Sequence, residues 1–189
     1  MPSKNPKYRV MIAAGGTGGH VYPAISIADA LGIKMKQIDI AFVGTKNHIE
    51  WLAVPKAGYE IYPIWVSGLQ RRFTFFNALF PLKLMVSLIQ SFRLLRRFKP
   101  AVMVSCGGYV AGPVGWMASR FGIPLIIQEQ NSYPGLTNRM LGSCAKHIFT
   151  AFPDAEQYFP SHKVRMVGNP TRKNLVHRNY SKARGFFDI

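Results

Sequence analysis

Apolar runs rich in β-branched residues alternate with helical patterns along this chain, and this alternation limits the folds that it can adopt. The strand-like runs cover residues 9–14, 38–43, 60–64, 101–105, 125–128 and 147–150. Helical patterns lie between them, at about residues 19–31, 46–57, 75–98, 112–121 and 135–145. The strand-like runs lack two-residue periodicity, which is typical of parallel strands covered on both faces. The alternation therefore predicts an α/β fold with right-handed βαβ units and a doubly wound parallel sheet.

The composition is that of one globular domain in a reducing compartment. The chain has 189 residues, of which 48% are hydrophobic, so a sizeable core can form and disorder is excluded. Cys106 and Cys144 are too few for a disulfide framework, and neither has the spacing of a metal site. The N-terminal apolar run is short and meets glycines, which indicates a strand rather than an export signal. We expect a cytoplasmic protein.

Charge is unevenly distributed along the chain. The net charge is +16, and residues 61–128 contain no Asp or Glu. The basic residues of that stretch are Arg71, Arg72, Lys83, Arg93, Arg96, Arg97, Lys99 and Arg120. Such a distribution predicts an anionic neighbour. Charge alone leaves nucleic acid, an anionic membrane surface and a phosphorylated substrate open.

The segment GGTGGH, residues 15–20, directly follows the first predicted strand. Glycines there let a ligand approach the backbone, and the N-terminus of the next helix offers N–H groups to an anion. The segment matches neither the dinucleotide fingerprint nor a P-loop. A tight turn without a ligand is the alternative interpretation. His20, at the start of the helix, is either a general base or a residue bonded only to backbone.

Two further loops follow predicted strands. They read CGGYVAGP at residues 106–113 and EQNSYPGLTNR at residues 129–139. Because ligands bind at the carboxyl ends of parallel strands, we expect the polar side chains of the three loops to converge. These side chains are Thr17, His20, Tyr109, Glu129, Asn131 and Thr137. For Glu129 and Asn131 the alternative role is helix capping or bonding within the loop.

Taken together, the ordered motifs resemble the N-terminal half of the MurG family of glycosyltransferases. The motifs are AAGGTGGHVYPAISIADAL, FVGT, VPKAGYEI, SGL, KPAVMVSCGGYVAGP, GIPLIIQEQNSYPGLTNR, FTAFP and VGNPTR, and they cover residues 9–172. The resemblance implies a B-type glycosyltransferase fold, in which two Rossmann-like domains face each other across a cleft. It also implies transfer of GlcNAc, with inversion, from UDP-GlcNAc to undecaprenyl-pyrophosphoryl-MurNAc-pentapeptide. That reaction belongs to peptidoglycan synthesis, and so to cell-wall biogenesis, cell shape and cell division.

The same resemblance implies a division of the chain into two parts. Residues 1–170 correspond to an N-terminal domain that binds the acceptor and the membrane. Residues 171–189 correspond to an interdomain linker and the start of a C-terminal donor-binding domain. We expect that missing domain to be supplied in cis or in trans, and the chain alone to be inactive.

Site residues follow from the resemblance, position by position. The expected donor contacts are Thr17, Gly18, Gly19, Asn131 and Arg172. The expected acceptor contacts are Gly107, Gly108 and Tyr109. His20 is the first candidate for the base that takes the acceptor hydroxyl proton, and Glu129 is the second candidate or the group that orients the first. We expect no metal and no cofactor in this half, with UDP-GlcNAc as the donor substrate.

The acid-free stretch from residue 73 to residue 99 is predicted to contact the membrane. A helical projection gathers Lys83, Ser87, Gln90, Ser91 and Arg97 on one face and leaves a broad apolar arc. A spanning helix and a core helix are the alternatives to docking at the interface. The resemblance implies docking to anionic lipids on the cytoplasmic face of the inner membrane. The residues predicted to dock are Phe75, Phe76, Leu79, Phe80, Arg93, Arg96 and Arg97.

Three functions from different classes compete at this point. The first is one half of a transferase. The second is a non-catalytic subunit that binds membrane and acceptor and recruits a separate donor-domain polypeptide. The third is a nucleic-acid binder, which explains the charge but neither the glycine loops nor EQN, and the chain lacks an RNP, zinc-finger or helix-turn-helix signature. We therefore expect no nucleic-acid partner.

Overall fold

A parallel sheet of seven strands organises the part of the chain that the computed structural model describes, residues 7–68 and 79–171. The strands are β1 (Tyr8–Ala14), β2 (Ile38–Gly44), β3 (Glu60–Pro63), β4 (Val102–Gly107), β5 (Leu125–Glu129), β6 (His147–Thr150) and β7 (Val164–Met166). Their order across the sheet is β3-β2-β1-β4-β5-β6-β7, and every pairing is parallel. The predicted doubly wound α/β fold is therefore confirmed, and the six predicted strands all form.

Five α-helices lie among the described residues, between the strands. They are α1 (Gly18–Lys34), α2 (Ile49–Lys56), α3 (Phe80–Phe98), α4 (Ala111–Arg120) and α5 (Leu136–Leu141). Two short 3-10 helices, Pro153–Tyr158 and Ser161–Lys163, lead into β7. Residues 75–78 of the helix predicted over residues 75–98 lie outside the described residues. The described helix begins at Phe80 and has Pro81 in its first turn.

The core lies on both faces of the sheet. Alternate residues of each strand point to opposite faces, so Met11 of β1 packs on one side and Ile12 on the other. Residues of α1 and α2, among them Val21 and Val54, cover the Ile12 side. Residues of α3, α4 and α5, among them Leu95, cover the Met11 side. This two-sided burial explains why the strands read as continuous apolar runs.

The order of the sheet reverses between β1 and β4, which lie side by side at its centre. Segments that follow β1, β4 and β5 therefore emerge next to one another at the carboxyl edge, where doubly wound folds bind ligands. The predicted convergence of the three loops is confirmed at this level of the fold.

Helix α3 exposes several of its apolar residues and buries two of its serines. Ser87 and Ser91 are fully buried, whereas Met85, Ile89 and Phe92 are exposed. The serine hydroxyls donate to helix carbonyls, from Ser87 to Leu84 O and from Ser91 to Ser87 O, each at 2.7 Å. Because these hydroxyls are bonded within the helix, their burial leaves no unpaired polar group. Of the predicted polar face, Ser87 and Ser91 therefore pack inward, whereas Arg97 is exposed. No helix within the described residues is long and apolar enough to cross a membrane.

Candidate functional site

A buried carboxylate accepts a hydrogen bond from the GGTGGH loop. Glu50, in the first turn of α2, is fully buried and accepts a hydrogen bond from the Gly16 N–H at 3.1 Å. It also accepts from the N–H and the hydroxyl of Thr45, at 3.1 and 2.6 Å. Gly16 has a φ of +85°, which a residue with a β carbon rarely adopts. The first glycine loop is therefore shaped by an acid that lies thirty-four residues further along the chain.

His20 is oriented by the same loop. Its Nδ1 lies 3.2 Å from the carbonyl oxygen of Gly15 and 3.2 Å from Oγ1 of Thr17. A carbonyl oxygen can only accept, so the bond to Gly15 requires the proton on Nδ1. In the neutral ring this leaves Nε2 with a lone pair. The tautomer that makes the Gly15 bond is therefore the one in which Nε2 is free to act as a base.

The CGGYVAGP loop packs directly onto the first loop. Gly107 and Gly108 have φ values of +101° and +84°. A β carbon at Gly107 would lie 3.0 Å from His20 Nε2, and one at Gly108 would collide with the carbonyl of Gly15. Glycine is thus required twice, for the backbone conformation and for the approach of the two loops. Tyr109 is exposed beside them.

Glu129, at the end of β5, organises the third loop. It is 1% exposed and accepts four hydrogen bonds. Oε1 accepts from the N–H and the side-chain amide of Asn131, at 3.0 and 2.9 Å. Oε2 accepts from the Gly135 N–H at 3.2 Å and from Asn138 Nδ2 at 3.0 Å. Asn138 in turn accepts from the Ser105 hydroxyl at 2.8 Å, which ties this loop to β4.

Burial also determines the protonation state of a cysteine close to this site. Cys106 is completely buried at the end of β4. Burial, and to a smaller extent the negative charge of Glu129, raises the pKa of its thiol from 9.0 to about 12. The thiol therefore stays protonated at neutral pH and is not a nucleophile.

Most of the predicted site residues meet at the carboxyl edge. Thr17 contacts His20, and Gly107 lies against the His20 ring. Gly18 and Gly19 form the first turn of α1, where backbone N–H groups have no intrahelical acceptor. Asn131 is exposed and bonded to Glu129, and Arg172 lies outside the described residues. No hydrogen bond joins Glu129 to His20 in the described part of the chain.

Two buried residues of the site were not predicted from the sequence. Asn138 lies within the quoted segment EQNSYPGLTNR, where its polarity was visible but its burial was not. Glu50 follows the second strand in the segment KNHIEW and looks like an ordinary acid in the first turn of a helix. Among the described residues, no group of three or more His, Cys, Asp or Glu side chains is placed to hold a metal ion.

Curated proteins similar to this chain share one name, UDP-N-acetylglucosamine--N-acetylmuramyl-(pentapeptide) pyrophosphoryl-undecaprenol N-acetylglucosamine transferase. The Flavobacterium psychrophilum protein is 46% identical over 170 residues, which are 90% of this chain and 46% of that protein. The Salinibacter ruber protein is 46% identical over 180 residues, 95% of this chain and 49% of that protein. The chain therefore spans about half the length of the curated relatives it matches.

Solved structures give the same fold. The crystal structure of Acinetobacter baumannii MurG superposes with a TM-score of 0.71 at 31% identity, covering 89% of this chain and 46% of that one. A UDP-GlcNAc 2-epimerase from Methanocaldococcus jannaschii superposes with a TM-score of 0.63 at 16% identity, covering 95% of this chain and 52% of that one, which shows a shared fold alone. The model of the glycosyltransferase family 28 N-terminal domain matches residues 10–150. With the interlocked glycine loops at the carboxyl edge of its sheet, this chain belongs to glycosyltransferase family 28 and carries the N-terminal domain of that family.

Proposed function

We propose that this chain is the acceptor-side half of an inverting transferase that moves GlcNAc from UDP-GlcNAc to undecaprenyl-pyrophosphoryl-MurNAc-pentapeptide. The shared name of relatives that are 46% identical to it supports both substrates. The match to an N-terminal domain supports a second, donor-binding half.

The orientation of His20 carries the proposal. Its Nδ1 is committed to the Gly15 carbonyl, and its Nε2 lies where the first two glycine loops meet. In the proposed step the acceptor's 4-hydroxyl attacks the anomeric carbon of GlcNAc while the bond from that carbon to the diphosphate oxygen breaks. UDP leaves with the bonding electron pair, and the hydroxyl proton passes to His20 Nε2. One displacement converts the α-linked donor to a β-linked product.

The loops supply binding groups for the two substrates. Thr17 is the N-cap of α1, and Gly18 and Gly19 are its first residues. The unbonded N–H groups and the positive dipole of that turn suit the donor diphosphate. Gly107 and Gly108 expose backbone to an acceptor, with Tyr109 beside them. Backbone N–H groups can meet the diphosphate charge, so the proposal assigns no step to a metal ion or cofactor.

Glu129 is given a positioning role in this proposal. Four N–H donors surround its carboxylate, which matches the number of lone-pair sites that a carboxylate offers. A carboxylate so occupied fixes the position of Asn131 and holds Asn138 near Gly107. Proton transfer to Glu129 would require several of these bonds to break.

A lipid-linked acceptor requires access to a membrane surface, and the exposed side of α3 provides one. We call Leu82, Met85, Ile89 and Phe92 the α3 apolar face; all four are exposed. The Arg96 guanidinium lies 5.6 Å from the ring centre of Phe92, and Phe92 lies 5.4 Å from Phe121. Exposed apolar residues beside basic ones suit the headgroup region of an anionic leaflet.

The predicted docking residues are distributed around this face. Leu79 is exposed and Phe80 is half-buried. Arg93, Arg96 and Arg97 are exposed along the second half of α3. Phe75 and Phe76 lie outside the described residues. Docking on the cytoplasmic leaflet thus rests, in the proposal, on the α3 apolar face and the three arginines.

Transfer by a completed protein tests the proposal. The chain would be joined after Thr171 to the second half of the Flavobacterium psychrophilum relative, and transfer of labelled GlcNAc from UDP-GlcNAc to the lipid-linked acceptor would be measured. We expect transfer by the fusion, none by residues 1–189 alone, and weak binding of UDP-GlcNAc to the chain alone. A folded fusion that binds UDP-GlcNAc but only hydrolyses or epimerises it would contradict the proposal.

The same two pieces, mixed as separate polypeptides, test the alternative of a recruiting subunit. Formation of an active complex in size-exclusion chromatography would support assembly in trans. Activity that appears only in the covalent fusion would favour a single two-domain chain.

A further inference from the structure

Glu50 is a fully buried carboxylate whose polar partners among the described residues are Gly16 and Thr45, with no basic side chain. Its negative charge is met only by hydrogen bonds, from the Gly16 N–H and from the N–H and hydroxyl of Thr45. Burial of an unpaired charge is costly, so a residue of this kind calls for an explanation beyond packing.

Two glycines next to Glu50 leave room for its side chain. A β carbon at Gly15 would lie 2.8 Å from Glu50 Oε1, and a β carbon at Gly44 would lie 2.7 Å from Glu50 Cγ. Glu50 therefore occupies part of the space that a β carbon would need at either position, together with Val110 beside Gly15 and Ile61 beside Gly44. The carboxylate thus lies next to the peptide group that joins Gly15 to Gly16.

That peptide group connects Glu50 to His20. Its N–H, which belongs to Gly16, donates to Glu50 Oε2 at 3.1 Å. Its carbonyl, which belongs to Gly15, accepts from His20 Nδ1 at 3.2 Å. The peptide is trans, so the two bonds leave it in opposite directions. Carboxylate, peptide and imidazole form one continuous chain of hydrogen bonds.

We propose that Glu50 is a positioning residue for the transfer step: it orients and polarises the Gly15–Gly16 peptide and thereby holds His20 with its proton on Nδ1. An anion at the N–H end of a peptide strengthens hydrogen bonding at the carbonyl end. The partner of one ring nitrogen decides which nitrogen carries the proton, as it does for metal-bound and catalytic histidines. This inference rests on the proposed function of His20 as base.

The same peptide group also connects Glu50 to the acceptor loop. The Gly15 carbonyl packs against the α carbon of Gly108, so a shift of the peptide would displace Gly107 and Gly108 together with His20. Glu50 therefore influences both the base and the loop proposed to hold the acceptor.

Glu50→Gln is the test variant. Glutamine has nearly the same size, but its NH₂ group would face either the Gly16 N–H or Thr45, where only an acceptor fits. Thr45→Val removes one bond to Glu50 and leaves the Gly16 bond in place. Glu156→Gln makes the same chemical change at an exposed position and serves as the matched control.

The first measurement is ¹⁵N NMR of the His20 imidazole in the 189-residue chain at high pH, assigned by comparison with His20→Ala. Wild type, Thr45→Val and Glu156→Gln should show the Nδ1–H form, and Glu50→Gln should show a mixture of both tautomers. A wild-type ring with its proton on Nε2 would overturn the proposal, whether or not the Glu50 variant folds.

The second measurement is a double-mutant cycle in the two-domain fusion. Glu50→Gln should lower kcat by roughly 10²-fold, as expected for a displaced base, and should add little to the loss caused by His20→Ala. If the losses in kcat caused by Glu50→Gln and His20→Ala multiply in the double variant, Glu50 has only a structural role. The same conclusion follows if Glu50→Gln and Thr45→Val lower kcat equally. If the wild-type fusion is inactive, the proposed function fails while the NMR result still decides the link between Glu50 and His20.

Discussion

The His20 ring lies with its edge against the α carbon of Gly107, so that a β carbon at position 107 would meet His20 Cδ2 at 2.9 Å and Nε2 at 3.0 Å. Base and acceptor loop are therefore in direct contact. Nε2 is the nitrogen that the Gly15 bond leaves unprotonated, and position 107 is where a substituent would block it. Any change that enlarges residue 107 acts on the proposed proton acceptor.

Gly107→Ala should reduce transfer more than it reduces stability. Gly107 has a φ of +101°, so alanine should cost roughly 1–2 kcal/mol of unfolding free energy. Contact with the His20 ring should in addition lower kcat of the fusion by about 10²-fold. Gly122→Ala is the control, because Gly122 has a φ of +68° and open space around its β position. Equal kcat values for the two variants would contradict the contact argument.

His20→Ala should lower kcat of the fusion by roughly 10²- to 10⁴-fold and leave the donor Kd nearly unchanged, because His20 moves a proton and does not hold UDP. If His20 were only a helix-start residue, the same change would cost about 1 kcal/mol of stability and leave kcat near wild type. Measurement of kcat, donor Kd and Tm on the same samples separates these results. An unaltered kcat would exclude His20 as the base.

Glu129→Gln should destabilise the domain by about 1–3 kcal/mol. Glutamine cannot accept all four hydrogen bonds, so a donor of Asn131, Gly135 or the buried Asn138 would lose its partner, and Glu129 itself is buried. Urea denaturation of the 189-residue chain gives the change in unfolding free energy. The exposed Glu156→Gln variant should stay within about 0.5 kcal/mol of wild type. A Glu129 variant as stable as this control would show that the loop does not depend on the carboxylate.

Cys106 predicts a loss of stability at high pH. Its pKa is raised from 9.0 to about 12 by burial, so between these values the unfolded thiol ionises while the folded thiol keeps its proton. The unfolded state then binds fewer protons, and the free energy of unfolding falls as pH rises from about 9 toward 12. Cys106→Ala should remove this part of the slope, as measured by urea denaturation across that range. Identical slopes for wild type and variant would contradict the prediction.

Sequence periodicity predicted the sheet well because six strands are continuous apolar runs buried on both faces. Strand β7, with the sequence VRM, was missed because it is three residues long and mostly exposed at the edge of the sheet. For α3 the helical projection predicted a broad apolar arc, part of which is exposed, but it left packing against the core open as an alternative to docking. A projection separates polar from apolar residues, but it does not say which face packs when the polar residues are serines bonded within the helix.

Site residues could be predicted where the residue types indicate the chemistry, but not where the site depends on contacts between residues that are distant in sequence. Glycine-rich segments after predicted strands indicated a site at the carboxyl edge of the sheet, and His20 belongs to one of these segments. Glu50 was not predictable, because its partners Gly16 and Thr45 are set by the pairing of β1 with β2. The bond of Glu129 to Asn138 likewise depends on where α5 folds back against β4 and β5.

Membrane affinity of the 189-residue chain should depend on the α3 apolar face. Ile89→Glu and Met85→Glu place a carboxylate among exposed apolar residues, and we expect either change to reduce co-sedimentation with vesicles rich in phosphatidylglycerol. Leu52→Glu is the matched control, because Leu52 is even more exposed but lies on α2, on the opposite side of the sheet. Equal losses for Leu52→Glu and Ile89→Glu would contradict docking through α3.

The arginines near the same face should contribute electrostatically and therefore with a dependence on salt. Replacing Arg93, Arg96 and Arg97 by Gln should weaken vesicle binding by about 1 kcal/mol for each charge that lies near the lipid surface. The control replaces Lys34, Lys36 and Lys56 by Gln, which removes the same charge from exposed positions at the ends of α1 and α2. Added salt should weaken wild-type binding, since exposed charges are screened over about 8 Å at physiological ionic strength. If the two triple variants bind equally well, net charge and not the position of the arginines on α3 governs attachment, and the proposed docking face is wrong.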